Sequence, residues 1–186
     1  MEHLLPIIEQ AEAMVCRTGR CILAVDGMAA AGKTTAAEHL AARWNAPVVH
    51  MDDFFLPPEL RTSERLSEPG GNVHYERFAE EVLPALKTNA PIFYRAFDCS
   101  VMAYGKTQFV PAAPIVIVEG AYSMHPIFEK YWDLSAFFTV TPEEQKRRII
   151  ARGGDEVWPA FRDRWIPLEN VYHSAFDIRE RADIVL

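Results

Sequence analysis

Hydrophobic positions change their period several times along the chain, and each change predicts a new element. Leu4, Leu5, Ile7, Ile8, Ala11, Met14 and Val15 recur at helical spacing, so the first segment reads as an amphipathic helix ended by Gly19. Cys21 to Val25 is instead a short unbroken apolar run, the pattern of a parallel strand covered on both faces. A helix from Lys33 continues through good helix formers to Trp44, and Pro47 to Met51 predicts a second strand that ends in Asp52 and Asp53. Phe54 to Asn72 is rich in Pro, Ser, Glu, Arg and Gly and reads as a long loop of the length usually reserved for functional lids.

Beyond the loop, Tyr75, Phe78, Ala79, Val82 and Leu86 keep one face of a helix apolar, with a kink or early stop expected at Pro84. Ile92 to Phe97 and Thr107 to Val110 predict two short strands around a turn at Gly105. Ile115 to Val118 is β-branched throughout and runs directly into Glu119 and Gly120, and Phe137 to Val140 reads as another strand. Thr141-Pro142-Glu143-Glu144 combines an N-cap, a first-turn proline and a capping-box acid, opening a helix to about Arg152. A further helical stretch from about Asp155 carries Trp158, Phe161, Trp165, Leu168 and Tyr172, and Asp183 to Leu186 reads as a closing strand. Strands alternating with helices predict a three-layer α/β fold on a parallel sheet.

Composition narrows this picture. A chain of 186 residues, 49% hydrophobic and 24% charged, suits one globular domain over 1–186. The net charge of −7 leaves no global basic field to hold nucleic acid, so any bound anion must be met by a local site. No apolar run approaches the ~18–20 residues that cross a bilayer, and the N-terminus carries no evident address. The three cysteines, Cys16, Cys21 and Cys99, form no Cys-x-x-Cys pair; they read as reduced, buried thiols of a cytoplasmic protein.

Gly27-Met28-Ala29-Ala30-Ala31-Gly32-Lys33-Thr34 fits Gly-x-x-x-x-Gly-Lys-Ser/Thr between a buried strand and a helix start. Gly27 and Gly32 permit backbone shapes in which successive N–H groups, including those of Ala29, Ala30 and Ala31, turn inward toward a phosphate chain. The helix start, with Lys33, Thr34 and Thr35, adds the positive end of its dipole. Lys33 supplies a full charge near the β- and γ-phosphates, and the Thr34 hydroxyl is placed to ligate Mg²⁺. Such an ion also needs one or two carboxylates, and Glu119, at the carboxyl end of a buried strand, qualifies. Asp52 and Asp53 end another strand; one of them could bind the cation or take the proton of an attacking hydroxyl, with Asp52 favoured and Asp53 the candidate turn cap.

These residues resemble the uridine kinase-like branch of P-loop kinases, grouped with phosphoribulokinase and bacterial pantothenate kinase. The resemblance rests on Gly27 to Thr35, on His50-Met51-Asp52-Asp53-Phe54-Phe55, on Gly70-Gly71-Asn72 before Tyr75-Glu76-Arg77-Phe78, and on Val116 to Ser123. It implies a five-stranded sheet in the order 2-3-1-4-5, MgATP as cofactor, Asp52 as the family's catalytic Asp and Glu119 as the second-motif acid. It further implies an acceptor-side segment at about 54–110 with the small β insertion. A helical lid at about 141–165 would bring Arg147, Arg148 and Arg152 to phosphate, with Arg162 and Arg164 weaker candidates. Tyr75, His74, Arg95, Phe97 and Asp98 are acceptor-pocket candidates by position alone. Three alanines replace the serine usual in the loop, leaving the backbone cradle intact.

The expected function is transfer of the γ-phosphoryl group of ATP to a hydroxyl of a small metabolite, a nucleoside such as uridine first. Pantothenate and sugar phosphates are the alternative acceptors. A regulatory ATPase or nucleotide binder is the competing class. The guanine-reading Asn-Lys-x-Asp tetrapeptide of GTP switches is missing.

Overall fold

The computed structural model describes residues 2–186. Its main sheet is five-stranded and wholly parallel, built from β1 (Cys21–Gly27), β2 (Val48–His50), β5 (Ile115–Glu119), β6 (Leu134–Phe138) and β7 (Ile184–Val185). The spatial order is β2-β5-β1-β6-β7, which is 2-3-1-4-5 when the strands of this sheet alone are counted. A separate antiparallel hairpin, β3 (Ile92–Asp98) and β4 (Ala103–Val110), is the expected β insertion.

The unbroken apolar runs follow from this placement. Alternate residues of β1 enter two different cores, Ile22 and Ala24 on one face and Cys21, Leu23 and Val25 on the other. Helix α1 (Leu5–Thr18) buries Ile7 and Ala11 on the second face and ends where Gly19, at φ 83°, donates its N–H to Val15 O. Helix α2 (Lys33–Trp44) packs Ala36, Ala37 and Leu40 there as well. The opposite face is covered by α4 (Tyr75–Glu81) and α5 (Leu83–Thr88) through Phe78, Leu83 and Leu86, and by Tyr172 of the C-terminal helices.

Several local expectations need correction. The 54–72 segment contains a short helix, α3 (Ser63–Ser67), because the Thr62 side chain caps Arg65 N–H at 3.1 Å. The 75–88 helix does break, at Val82, where Pro84 opens α5. The hairpin turns at 99–102, where Asp98 Oδ1 accepts the N–H and hydroxyl of Ser100; Gly105 lies inside β4. Strand β6 runs from Leu134 to Phe138, starting earlier than its apolar pattern suggests because the buried Ser135 hydroxyl is satisfied by Asp183 at 2.6 Å. Burial holds only for Cys21: Cys16 and Cys99 are exposed, and all three thiols are free.

Helix α6 (Pro142–Gly153) carries the expected Thr141 cap on Glu144 N–H at 3.3 Å. The next helical run is α7 (Trp158–Ala160), a π-turn at Phe161–Trp165, α8 (Ile166–Ala175) and α9 (Ile178–Arg181). The π-turn immediately precedes Ile166-Pro167, where proline offers no N–H to an α ladder. Among the described residues no helix is long and apolar enough to cross a membrane.

Gly27 is a tight joint between two strands of the main sheet. Its φ is 137°, and a Cβ there would stand 2.2 Å from Phe138 O. Gly27→Ala should therefore cost at least ~2–3 kcal/mol and lower Tm by roughly 5–10 °C, since both strain and a backbone clash act at one point. Thermal unfolding followed by circular dichroism checks this; an unchanged Tm would mean that β1 and β6 can part at no cost.

Candidate active site

Strand register brings the predicted residues together. Glu119 pairs with Val25 on β1 and with His50 on β2, so the carboxyl ends of the three strands finish side by side. They open into a cleft of about 1090 Å³ lined by Ala29 to Ala36, Asp52, Glu119, Arg148 and Arg152. Lys33 is nearly buried, and its ammonium donates to Gly27 O at 2.7 Å and Met28 O at 2.8 Å. Ala30 takes a left-handed φ of 57° and Gly32 one of 99°, which give the loop its inward curl.

Beside the loop, the Thr34 hydroxyl lies 3.3 Å from Glu119 Oε2, and His50 Nδ1 meets Glu119 Oε1 at 2.7 Å. This bond and the Glu119 charge hold the His50 imidazole above its ordinary pKa, outweighing burial. Asp52 and Asp53 both sit on the 3₁₀ turn after β2, yet they part company. Asp53 Oδ2 accepts the Tyr94 hydroxyl at 2.7 Å, whereas Asp52 faces the cleft. Asp52 keeps access to water, but protein packed around the cleft floor desolvates it; this first, and then the charge of Glu119, raise its carboxyl pKa against the pull of Lys33.

The arrangement fits a nucleotide phosphate chain with its cation. A carboxylate oxygen, Glu169 Oε2, already accepts the Ala29 N–H at 2.7 Å, so the loop presents a donor to an anionic oxygen. Thr34, Glu119 and Asp52 offer hard oxygens for Mg²⁺. Among the described residues no group of three His, Cys, Asp or Glu side chains forms a ready-made metal cage.

The lid arginines divide. Arg148 donates to Ala30 O at 3.1 Å and Arg152 lines the cleft, but Arg147 pairs with Glu144 at the surface. Arg164 reaches the cleft wall, while exposed Arg162 pairs with Asp163. None of the five acceptor candidates lines the cleft. Tyr75 bonds Glu68 under the Arg65 guanidinium, His74 meets Glu76, Arg95 donates to backbone carbonyls of β4, Phe97 packs on Tyr104, and Asp98 holds the hairpin turn. The cleft wall away from the glycine loop is instead lined by Phe55, Arg61, Asn72, Tyr122 and Trp165. Asn72 is nearly buried and its Oδ1 has no protein partner.

A deeper group escaped the sequence reading. Asp26 is fully buried and accepts Gly27 N–H at 2.7 Å, Met124 N–H at 3.0 Å and the Tyr172 hydroxyl at 2.8 Å. His173 Nε2 lies 3.8 Å from Asp26 Oδ1, too far for a hydrogen bond. Burial opposes the charge of Asp26, yet His173, the backbone donor and Lys33 together hold its carboxyl below the usual range. A charged residue inside an apolar run directly before Gly27 was the available signal.

The strand order, the glycine loop at the end of the central strand and the acids on its neighbours define a P-loop NTPase fold. A solved structure described as a possible uridine kinase from Bacillus stearothermophilus shares it, with a TM-score of 0.68 over 96% of this chain and 98% of that one. At 18% identity this similarity speaks for the fold alone. Sequence carries the relationship further. The chain is 32% identical to nicotinamide riboside kinase 1 of Rattus norvegicus over 140 residues, 70% of this chain and 66% of that protein. It is 31% identical to that of Mus musculus over 142 residues, 72% of this chain and 67% of that protein. The chain thus belongs to the uridine kinase-like family of P-loop kinases. It spans about two thirds of the length of the curated relatives it matches. No family model matches it.

The depressed pKa of Asp26 fixes the sign of a pH effect. Its charge contributes stability in full above the unfolded value near 3.9, and the contribution is lost as pH falls through the lower folded value. Asp26→Asn should be less stable than wild type by ~2–4 kcal/mol at neutral pH, with the gap closing below about pH 4. Urea unfolding of both proteins across that range measures it; parallel stability curves would remove the charge of Asp26 from the account.

Proposed function

We propose that this protein is an ATP-dependent kinase that passes the γ-phosphoryl group to a hydroxyl of a ribonucleoside. Nicotinamide riboside is the first acceptor to test and uridine the second. The observation that carries this reading is the separation of the paired acids. Tyr94 occupies Asp53, leaving Asp52 as the carboxylate that faces the cleft near Lys33.

In this reading the loop N–H groups and Lys33 hold the phosphate chain, and Arg148 and Arg152 approach it from α6. Thr34, Glu119 and Asp52 would hold Mg²⁺, which supplies charge neutralisation to the phosphates. His50 keeps the Glu119 carboxylate oriented. Asp52, the carboxylate left facing the cleft, accepts the proton of the acceptor hydroxyl as it attacks. The aromatic rings of Phe55 and Trp165, with centroids 6.4 Å apart, suit a flat base on the acceptor side. The nucleoside choice follows the name of the relatives, nicotinamide riboside kinase 1, and uridine follows the family that the sequence motifs resemble.

The test is ADP release with nicotinamide riboside, uridine, pantothenate and a sugar phosphate, each compared with the acceptor-free rate. Stimulation by a nucleoside is expected, and release independent of every acceptor would favour a regulatory ATPase.

Asp52→Asn should leave nucleotide affinity within a few-fold while single-turnover transfer falls by ~10²–10⁴. Normal transfer in the variant would exclude Asp52 as the base. Glu119→Gln should shift the Mg²⁺ dependence of activity to higher concentration with little change in Tm, and an unchanged midpoint and maximum would take Glu119 out of the metal site.

A further inference from the structure

The phosphate loop is held by its own protein in the manner of a bound anion. Glu169, on α8, places Oε2 2.7 Å from the Ala29 nitrogen and accepts its N–H. The other side of the same residue is also engaged, since Gln145 on α6 donates to Ala29 O at 2.9 Å. The Lys33 ammonium is turned onto Gly27 O and Met28 O. One donor of the cradle and its cation are therefore both satisfied internally.

The helix that delivers Glu169 is anchored to the same loop a turn later. Tyr172 donates to Asp26, and Asp26 accepts the N–H of Gly27. Residues 169, 172 and 173 lie three and four apart, on one face of α8, so a single helix face reaches both the base of the loop and its cradle. Tyr172 is fully buried and serves as the fixed end. Glu169 lines the open cleft, borders the region a phosphate chain would fill and serves as the releasable end.

We propose that Glu169 is a built-in competitor for the nucleotide: its carboxylate and the nucleotide's phosphate chain compete for the loop, so nucleotide binding displaces the Glu169 contact. This inference rests on the loop being a nucleotide site, as proposed above. The sign follows from charge. A carboxylate beside the cradle adds like-charge repulsion to the cost of breaking its bond with Ala29 N–H, and both terms oppose a polyanion. Glutamine in its place fills the same volume and can still accept from Ala29 but carries no charge. A residue that merely supported the loop would have the opposite effect, because loosening the cradle weakens anion binding.

Calorimetric titration of the full chain with the non-hydrolysable analogue AMP-PNP and Mg²⁺ separates these outcomes. Glu169→Gln and Glu169→Ala should each bind roughly tenfold more tightly than wild type, within the range typical of coupled equilibria. Glu169→Asp, which keeps the charge, should gain least. Equal or weaker binding by the Gln and Ala variants would overturn the inference while leaving the nucleotide site standing. No binding by wild type or any variant would overturn both. A second measurement needs no variant: the Glu169 side-chain carboxyl ¹³C resonance of the wild-type protein should shift on saturation with the analogue, and an unmoved resonance in a saturated protein would refute displacement.

Discussion

The buried carboxylate of Asp26 joins three parts of the molecule that are far apart in sequence. It takes the first N–H of the phosphate loop, the N–H of Met124 beyond β5 and the hydroxyl of Tyr172 on α8. A charge with no solvent exposure is tolerable only when its lone pairs are filled and a counter-charge stands near, and here Lys33 supplies that charge. Breaking one arm would leave an unpaired buried group, so the base of the loop, the β5 edge and the C-terminal helix are fixed relative to one another. The cleft inherits its shape from this joint.

Around that joint an acidic protein builds a site fit for an anion. The net charge of −7 is spread over the whole chain, but fields at the loop are set by groups within a few ångströms. There the ends of β1 and α2 bring Lys33 and inward N–H groups together, and α6 leans Arg148 over the Ala30 carbonyl. Acids enter the same space for a different purpose: Glu119 is tied to Thr34 and His50, and Asp52 is left facing the cleft. Parallel pairing makes this possible, because strands that end at one level present their terminal side chains to one volume.

The acceptor side follows another logic. Polar residues of the hairpin and α4 spend their polar groups on local structure, as when Arg95 satisfies carbonyls of β4 and Asp98 forms the turn. The wall comes instead from the 55–72 segment and from Trp165 at the end of the π-turn. A long loop rich in Pro and Gly gave no period to read, and side chains that meet across more than ninety positions leave no mark in local spacing.

What the sequence by itself determined is therefore local in origin. The unbroken apolar runs, the Gly27–Thr34 spacing, the Thr141 cap and the acids at strand ends are each decided by neighbouring residues: strand burial, backbone freedom at glycine and capping act within a few positions. Tertiary structure alone decided which of two adjacent acids stays free, since that depends on Tyr94 reaching Asp53 from a distant hairpin. It also placed Glu169 and Tyr172 against the loop from about 140 residues away, and it kept Arg147 at the surface while Arg148, its neighbour, reached the loop. Those outcomes rest on register and helix rotation, where a shift of one residue turns a side chain to another face, and only the packed whole selects between the faces.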